Sequence, residues 1–317
     1  MRIFPQSSNQ DQKLIEDGGL TFSFQNISYG SCDACWFKEI TDPTTCEIKE
    51  IPLIGLEGTD ALNRGSSGDA QYQRFHHALG AVKNGCIGIY YLKPGSDTVQ
   101  PDLYEMAYNA TIENAHKGGA YLIIQDLSIV DSILSLITNY GWKSQEVNNY
   151  IMNYVNTMHQ TWYNSKFSQY GFDWNTFAQK RSTIIKNGYI IKIAGRMRRN
   201  FTDGSQRAGH IAVGEMYLSK YLFPNQTVFY LCPRMTDADV AYLDLHKQSD
   251  KEWFLLRNEA NVFFKTRDDL SGLPANIYNL LQSIENVPLK GDDLRNYKYC
   301  VQVIETGLRN NTIQLKI

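Results

Sequence analysis

The sequence predicts an α/β (α+β) protein with a mixed β-sheet core flanked by helices. Three observations favour this class: runs that alternate apolar and polar residues, continuous apolar runs between turn signals, and amphipathic stretches at helical spacing between them. Apolar residues make up 43% of the 317 residues and aromatic residues 12%, so the chain has enough apolar material for a large buried core.

The first elements follow the order β-β-α-β. Residues 32–38 and 46–57 are two extended runs separated by the turn signal Asp42-Pro43, which predicts a hairpin. An amphipathic helix follows and ends at Gly85. Residues 86–92 are a continuous apolar run, as expected for a strand buried on both faces.

The next segment adds a helix and a strand before the composition changes. Pro101 marks the start of the helix, and Gly118-Gly119 stops it before the buried strand AYLIIQD. Residues 144–170 are polar and rich in Asn and Tyr, which favours a connector helix rather than core. We therefore predict a boundary that divides the chain into residues 1–142 and residues 143–317.

The second region is predicted to combine the connector with further α/β structure that contacts DNA. Its predicted strands are 189–195, 227–232, 252–256, 299–305 and 312–317, and its predicted helices lie near 205–222, 237–247 and 274–285.

Charge and hydropathy limit the partners. A net charge of -2 gives no global attraction to nucleic acid or acidic membranes, so any polyanion must bind a local patch. The first ten residues lack a signal-peptide stretch, and no apolar run approaches the length of a membrane span. These features predict a cytoplasmic protein that has no membrane partner, with its cysteines reduced.

Two acidic residues are expected to meet at the open end of the hairpin. With a turn near residues 43–45, Asp33 comes opposite the neighbourhood of Glu57. Two carboxylates a few Å apart suit a hard cation such as Mg²⁺, which can activate water and stabilise a phosphoryl transition state. Asp33 and Glu57 are thus candidate metal ligands and catalytic residues for phosphodiester chemistry.

The order acid, turn, acidic strand, helix and buried strand resembles the PD-(D/E)xK nuclease superfamily, which includes many type II restriction endonucleases. The resemblance covers residues 30–95 and is carried by Asp33, IPLIGLEGTD with Glu57, SSGDAQYQRFHHALGAVKNG and CIGIYYLKPG. Thr59 stands where the family has a lysine. The resemblance implies a β-hairpin-α-β nuclease-like core, Mg²⁺-dependent cleavage of double-stranded DNA and, for a symmetric site, a homodimer.

A literal E-x-K is present as Glu47-Ile48-Lys49 and is a second candidate for the catalytic carboxylate and lysine. Hairpin geometry puts Glu47 close to the turn and far from Asp33. The alternative interpretation is that Glu47 and Lys49 are solvent-facing charges on an antiparallel strand. Lys49, or Lys38, is also a candidate for the positive charge that Thr59 does not supply.

Polar and basic residues elsewhere are candidate DNA contacts. Gln71 and Arg74 lie one turn apart on the predicted helix and are expected either to hold the scissile phosphate or to form the solvated face of that helix. The basic segment 180–207 has a single acidic residue and suits phosphate contacts. Its candidate substrate-binding residues are Arg196, Arg198, Arg199 and Arg207.

Other site motifs have little support. Cys32-x-x-Cys35 with Cys46 is half of a zinc pattern, and no phosphate-binding glycine motif is present. The sequence thus favours a restriction-enzyme-like endonuclease. Two alternatives remain open: a non-catalytic DNA-binding or interaction protein, and an α/β enzyme that acts on a small phosphorylated or glycosidic substrate.

Overall fold

The computed structural model divides the chain into two compact units, Met1–Lys166 and Phe167–Ile317. It describes residues 14–17, 20–24, 27–59, 67–93, 99, 101–165, 183–193, 198–200, 206–208, 220–238, 261–287 and 289–316. Within these ranges, no helix combines the length and the apolar content that crossing a membrane requires.

The first unit is built on a five-stranded sheet in the order β1-β4-β5-β6-β7. Its strands are β1 (Leu14–Asp17), β2 (Thr21–Phe24), β3 (Ile27–Ser31), β4 (Ala34–Thr41), β5 (Ile48–Thr59), β6 (Ile87–Leu92) and β7 (Ala120–Ile124), and its helices are α1 (Ser67–Lys83), α2 (Pro101–Asn114), α3 (Ser128–Tyr140) and α4 (Gln145–Met158). Strands β1, β4 and β5 are antiparallel neighbours, whereas β5, β6 and β7 are parallel. A separate antiparallel pair joins β2 to β3.

The predicted hairpin is confirmed as β4 and β5. Its turn is held by Asp42, whose carboxylate accepts the backbone N–H groups of Thr44 at 2.9 Å and Thr45 at 3.2 Å. Lys49 Nζ also lies 3.0 Å from Asp42 Oδ2. These contacts, with the Thr44 N–H first, lower the pKa of Asp42 below its usual value.

The predicted helix and buried strand after the hairpin are also confirmed, as α1 and β6. Gly85, at φ +78°, turns the chain out of α1 and into β6. A Cβ at Gly88 would lie 2.2 Å from the carbonyl oxygen of Ala78, so α1 crosses directly over the backbone of β6. Glycine is required at this crossing because no side chain fits.

Helices α3 and α4 cover the other face of the sheet. Val147, Ile151 and Val155 of α4 pack in one core with Ile87 and Ile89 of β6. Residues 145–158 therefore bury an apolar face against the first sheet, although their polar composition favoured a connector. The division between the units falls after residue 166, later than the predicted boundary at 143.

The second unit is built on a four-stranded sheet in the order β13-β12-β9-β8. Its strands are β8 (Thr183–Lys186), β9 (Tyr189–Ile193), β10 (Arg198–Asn200), β11 (Gln206–Ala208), β12 (Thr227–Cys232) and β13 (Val262–Thr266), and its helices are α5 (Ala275–Gln282) and α6 (Gly291–Arg309). Strands β8 and β9 are antiparallel, and β9, β12 and β13 are parallel. Both units thus have mixed sheets flanked by helices, which confirms the predicted fold class.

The strand predicted at residues 299–305 is wrong, because these residues lie within α6. Cys300 and Ile304 are buried at helical spacing in a core with Ile191 and Leu231 of the second sheet. The strand predicted at 312–317 is reduced to a single bridge between Lys316 and Pro274. The strand predicted at 252–256 and most of the helices predicted near 205–222 and 237–247 lie outside the described residues.

Candidate functional site

The candidate site lies at the carboxyl end of β5, where Glu57 is buried beneath α1. Glu57 is in register with Tyr90 of β6, and its side chain has no solvent exposure. A buried carboxylate is costly unless it is paired or hydrogen-bonded, so the contacts of Glu57 decide what it can do.

Two side chains from α1 approach one oxygen of this carboxylate. Arg74 Nη1 donates a hydrogen bond to Glu57 Oε1. His77 Nδ1 lies 3.1 Å from Oε1, but it is not aligned for a hydrogen bond. The second oxygen, Oε2, is buried and accepts no hydrogen bond from any described residue. Glu57 is therefore neutralised on one side and has an unfilled acceptor on the other.

Asp33 lies just before β4, at the end of the hairpin whose strand β5 contains Glu57. Ala34 pairs with Leu56 at the end of the hairpin ladder, so the chain before Ala34 runs next to Glu57 and Gly58. Asp33 Oδ2 accepts the backbone N–H of Gly58 at 2.8 Å, and the Asp33 side chain is exposed. The structure thus brings Asp33 next to the residue that follows Glu57.

Helix α1 supplies the other polar groups. Gln71 is fully buried, so it does not belong to a solvated helix face, and Arg74 is half-buried with 29% of its side chain exposed. His77 was not among the predicted site residues. It follows Arg74 by three positions, and this i, i+3 spacing was the signal that could have identified it.

Buried neutral groups surround Glu57 on the sheet. Tyr121 donates a hydrogen bond to the carbonyl oxygen of Phe75 at 3.0 Å, and burial raises the pKa of Tyr121, with Glu57 adding to the shift. A hydrogen bond with Cys35, followed by burial, raises the pKa of Cys32 well above its usual range. These groups stay uncharged at neutral pH, so among the described residues Arg74 supplies the positive charge that balances Glu57.

The literal E-x-K lies at the opposite end of the hairpin. Lys49 pairs with Ile40 near the turn and lies seven residues before Leu56 along β5, which corresponds to about 20 Å along the strand. Glu47 and Lys49 are exposed, and Lys49 forms its ion pair with Asp42. The structure does not bring these two residues together with Asp33 or Glu57.

The described part of the basic segment contains a two-stranded ribbon. Strands β10 and β11 are antiparallel, and Arg199 is directly opposite Arg207, next to Arg198. Arg196 lies outside the described residues, as do the side chains of the ribbon and of Thr59.

In the described part of the chain, the candidate metal ligands are the two carboxylates of Asp33 and Glu57 and not a larger cluster. Among the described residues, no group of three or more His, Cys, Asp or Glu side chains is arranged to hold an ion. Cys32 and Cys35 are buried while Cys46 is exposed in the hairpin turn, so the half zinc pattern is not completed by Cys46.

Comparison of the chain with models of protein families, with curated proteins and with solved structures finds no significant match. The resemblance to the PD-(D/E)xK superfamily therefore stays a prediction from the sequence.

Proposed function

We propose that this protein is a Mg²⁺-dependent, restriction-enzyme-like endonuclease that cleaves double-stranded DNA. The observation that carries the proposal is the position of two carboxylates at one end of β5: Asp33 bound to the N–H of Gly58, and Glu57 next to it with Oε2 lacking a partner. The order hairpin, helix and parallel strand around this position supports the same conclusion.

The two carboxylates fit the needs of Mg²⁺. This ion is commonly held in proteins by one or two carboxylates, with waters and substrate phosphates completing its shell. The unfilled acceptor at Glu57 Oε2 and the exposed carboxylate of Asp33 are the donors that would hold it. When bound, the ion would supply Lewis-acid stabilisation and a more acidic water.

The protein's own residues orient these donors. The Gly58 N–H fixes Asp33, and Arg74 fixes Glu57 Oε1, so both carboxylates are held in place before substrate binds. Arg74 is also partly exposed, and its remaining N–H groups can donate to a phosphate oxygen. Arg74 thereby supplies a fixed positive charge beside the carboxylates, although Thr59 stands where the family has a lysine.

Binding to DNA would rely on the ribbon of the second unit. Arg199 and Arg207, which are paired in register on β10 and β11, would supply cations for a phosphate backbone together with Arg198. A two-fold homodimer would present two equivalent sites to the two strands of a symmetric DNA sequence. Arg196 remains a proposed contact in this arrangement, whereas Gln71, which is fully buried, is not exposed to bind DNA.

One observation favours a second function, that of a DNA-binding protein without catalysis. Glu57 is fully buried and already paired with Arg74, which is how a structural ion pair is stabilised. In that case the Glu57 carboxylate holds α1 on the sheet and does not bind metal.

The first prediction separates these two functions by incubating mixed plasmid DNA with the protein, with and without Mg²⁺. The endonuclease should give discrete fragments only with Mg²⁺. Glu57→Gln and Asp33→Asn should each reduce cleavage by about 100-fold or more while DNA binding is retained, because each removes one anionic donor. Asp33 is exposed, so Asp33→Asn tests the site even if Glu57→Gln folds poorly.

Glu47→Gln is the matched control, since Glu47 is an exposed carboxylate at the far end of the same hairpin. It should cleave like the wild type. Metal-independent binding without any cleavage would support the non-catalytic function instead. Full cleavage by Glu57→Gln and Asp33→Asn would remove both residues from the mechanism.

A further inference from the structure

An aromatic cluster lies on the first unit, apart from the carboxylates. It consists of Tyr104 and Tyr108 on α2 and of His159 and Trp162 on the π-helical turn His159–Tyr163. Tyr108 stacks on His159 with ring centroids 4.2 Å apart, and Tyr104 is nearly parallel to Trp162, at an interplanar angle of 11°. We call these four residues the aromatic ladder.

Contacts with α2 hold His159 in the ladder, and Trp162 is partly exposed to solvent. His159 Nε2 contacts Glu105 Oε2, and Asn109 Nδ2 donates to Glu105 Oε1 at 3.1 Å, so the imidazole is fixed to α2. Tyr104 is buried, whereas 43% of Trp162 is exposed. An indole that packs against Tyr104 and is partly exposed can bind a flat ring at little cost in conformational entropy.

The ladder lies at the same edge of the sheet as the candidate site. Tyr154 Oη donates to the carbonyl oxygen of Ile123 at 3.1 Å, and the N–H of Ile123 contacts Met158 Sδ at 3.2 Å, next to the π-helical turn. Ile123 is the penultimate residue of β7, so the turn lies at the carboxyl end of that strand. Because β5 and β7 are parallel with β6 between them, their carboxyl ends are separated by two strand spacings, about 10 Å.

We propose that Trp162 is a stacking site for an unpaired nucleobase in the DNA strand that reaches the carboxylates. The spacing of about 10 Å between the carboxyl ends of β5 and β7 corresponds to about three nucleotides at the rise of one strand of a duplex, so the base stacked on Trp162 would be at least that far along the strand from the carboxylates. Stacking on an aromatic ring strengthens the binding of a base by about tenfold and is tolerant of sequence. The preferred substrate would then be DNA with a single-stranded end or an opened stretch near the cut.

This proposal rests on the proposed function for its ligand, but its test does not require cleavage. Binding is measured without Mg²⁺ to two oligonucleotide duplexes of equal length, one blunt and one with a short single-stranded overhang. Trp162→Ala should bind the overhang duplex about tenfold or more weakly than the wild type. Trp162→Phe, which keeps a ring, should retain most of the affinity, and both variants should bind the blunt duplex normally.

Tyr140→Ala is the matched control, because Tyr140 is an exposed aromatic residue on α3. It should bind both duplexes as the wild type does. The proposal would be overturned if Trp162→Ala lost equal affinity for the two duplexes or bound both as the wild type does. It would also be overturned if the wild type bound neither duplex. Normal binding by Trp162→Ala, in a protein whose wild type cleaves, would overturn the stacking site alone. Trp162-dependent binding without cleavage would overturn the nuclease function alone.

Discussion

The two sheets of this protein share the order of four strands, but they differ in the charged side chain that they bury. In the first unit the hairpin β4–β5 is followed by the parallel strands β6 and β7, and in the second unit the hairpin β8–β9 is followed by the parallel strands β12 and β13. The sequence shows no repeat that corresponds to this shared topology. The same arrangement is therefore reached with different side chains.

The strand register shows that the two buried charged side chains occupy corresponding positions in the two sheets. Glu57 of β5 is opposite Tyr90, the fourth residue of β6, and Lys192 of β9 is opposite Tyr230, the fourth residue of β12. Both tyrosines are fully buried, and Lys192 is only 2% exposed. An acid in the first sheet thus corresponds to a base in the second. The topology determines where a buried charge lies, but the residue determines what it can bind, so fold alone does not assign function.

A second difference concerns how closely a helix approaches the sheet. Gly88 is the second residue of β6, and the second residue of β12 is Val228, which has a full side chain buried at the corresponding register. Helix α1 lies against the backbone of β6 because Gly88 has no side chain. This close approach is what carries Arg74 and His77 to Glu57.

The largest stability change is expected from a methyl group at that crossing. Gly88→Ala should lower the free energy of unfolding by about 3 kcal/mol, since its Cβ would overlap the Ala78 carbonyl and α1 would have to move. Equilibrium urea unfolding measures the change. Gly272→Ala is the control, because a Cβ there meets only the ends of the flexible side chains of Lys265 and Lys316. It should change the free energy of unfolding by less than about 0.5 kcal/mol, and a similar value for Gly88→Ala would contradict the close crossing.

Much of the first unit was predictable because its signals are local. Asp42-Pro43 identified the hairpin turn, and Gly85 identified the end of α1, where its φ of +78° requires a residue without a side chain. The strand prediction for residues 299–305 was wrong because their alternating pattern also satisfies helical spacing at Cys300 and Ile304. Packing against the second sheet then decided in favour of the helix.

The candidate site was only partly predictable, because the hairpin register is local whereas the position of α1 depends on tertiary packing. The antiparallel register alone placed Asp33 near Glu57, because the partner of each residue in a hairpin follows from the turn. The pairing of Glu57 with Arg74, and the approach of His77, depend on how far α1 lies from the sheet. That distance is determined by tertiary packing at Gly88, which helical periodicity does not reveal.

The proposed roles of the two units can be separated by the salt dependence of DNA binding. Changing Arg198, Arg199 and Arg207 together to Gln should reduce the slope of log affinity against log salt by about 2.7, since each lost phosphate contact removes about 0.9. Arg295, Lys298 and Arg309, exposed cations on α6, provide a control triple with the same change of charge. An equal reduction in both triples would indicate a general charge effect and would remove the β10–β11 ribbon from the interface.

The smallest expected effect is a change in the rate of cysteine labelling, which tests whether the two units unfold separately. Of the six cysteines, Cys46 is exposed and the others are buried. Burial raises the pKa of Cys86, in the first unit, and of Cys300, in the second, to about 12. Because the thiolate reacts and is scarce far below that pKa, iodoacetamide in mildly alkaline buffer should label Cys46 alone.

Peptide mapping of the Gly88→Ala variant then compares the units directly. Opening the first unit exposes Cys32, Cys35 and Cys86, so these should label faster than in the wild type, while Cys232 and Cys300 stay protected as long as the second unit is folded. Labelling in concentrated urea provides the control in which all cysteines react. Equal acceleration in both units would mean that they unfold as one cooperative body, and the two sheets would then have to be compared as parts of a single fold.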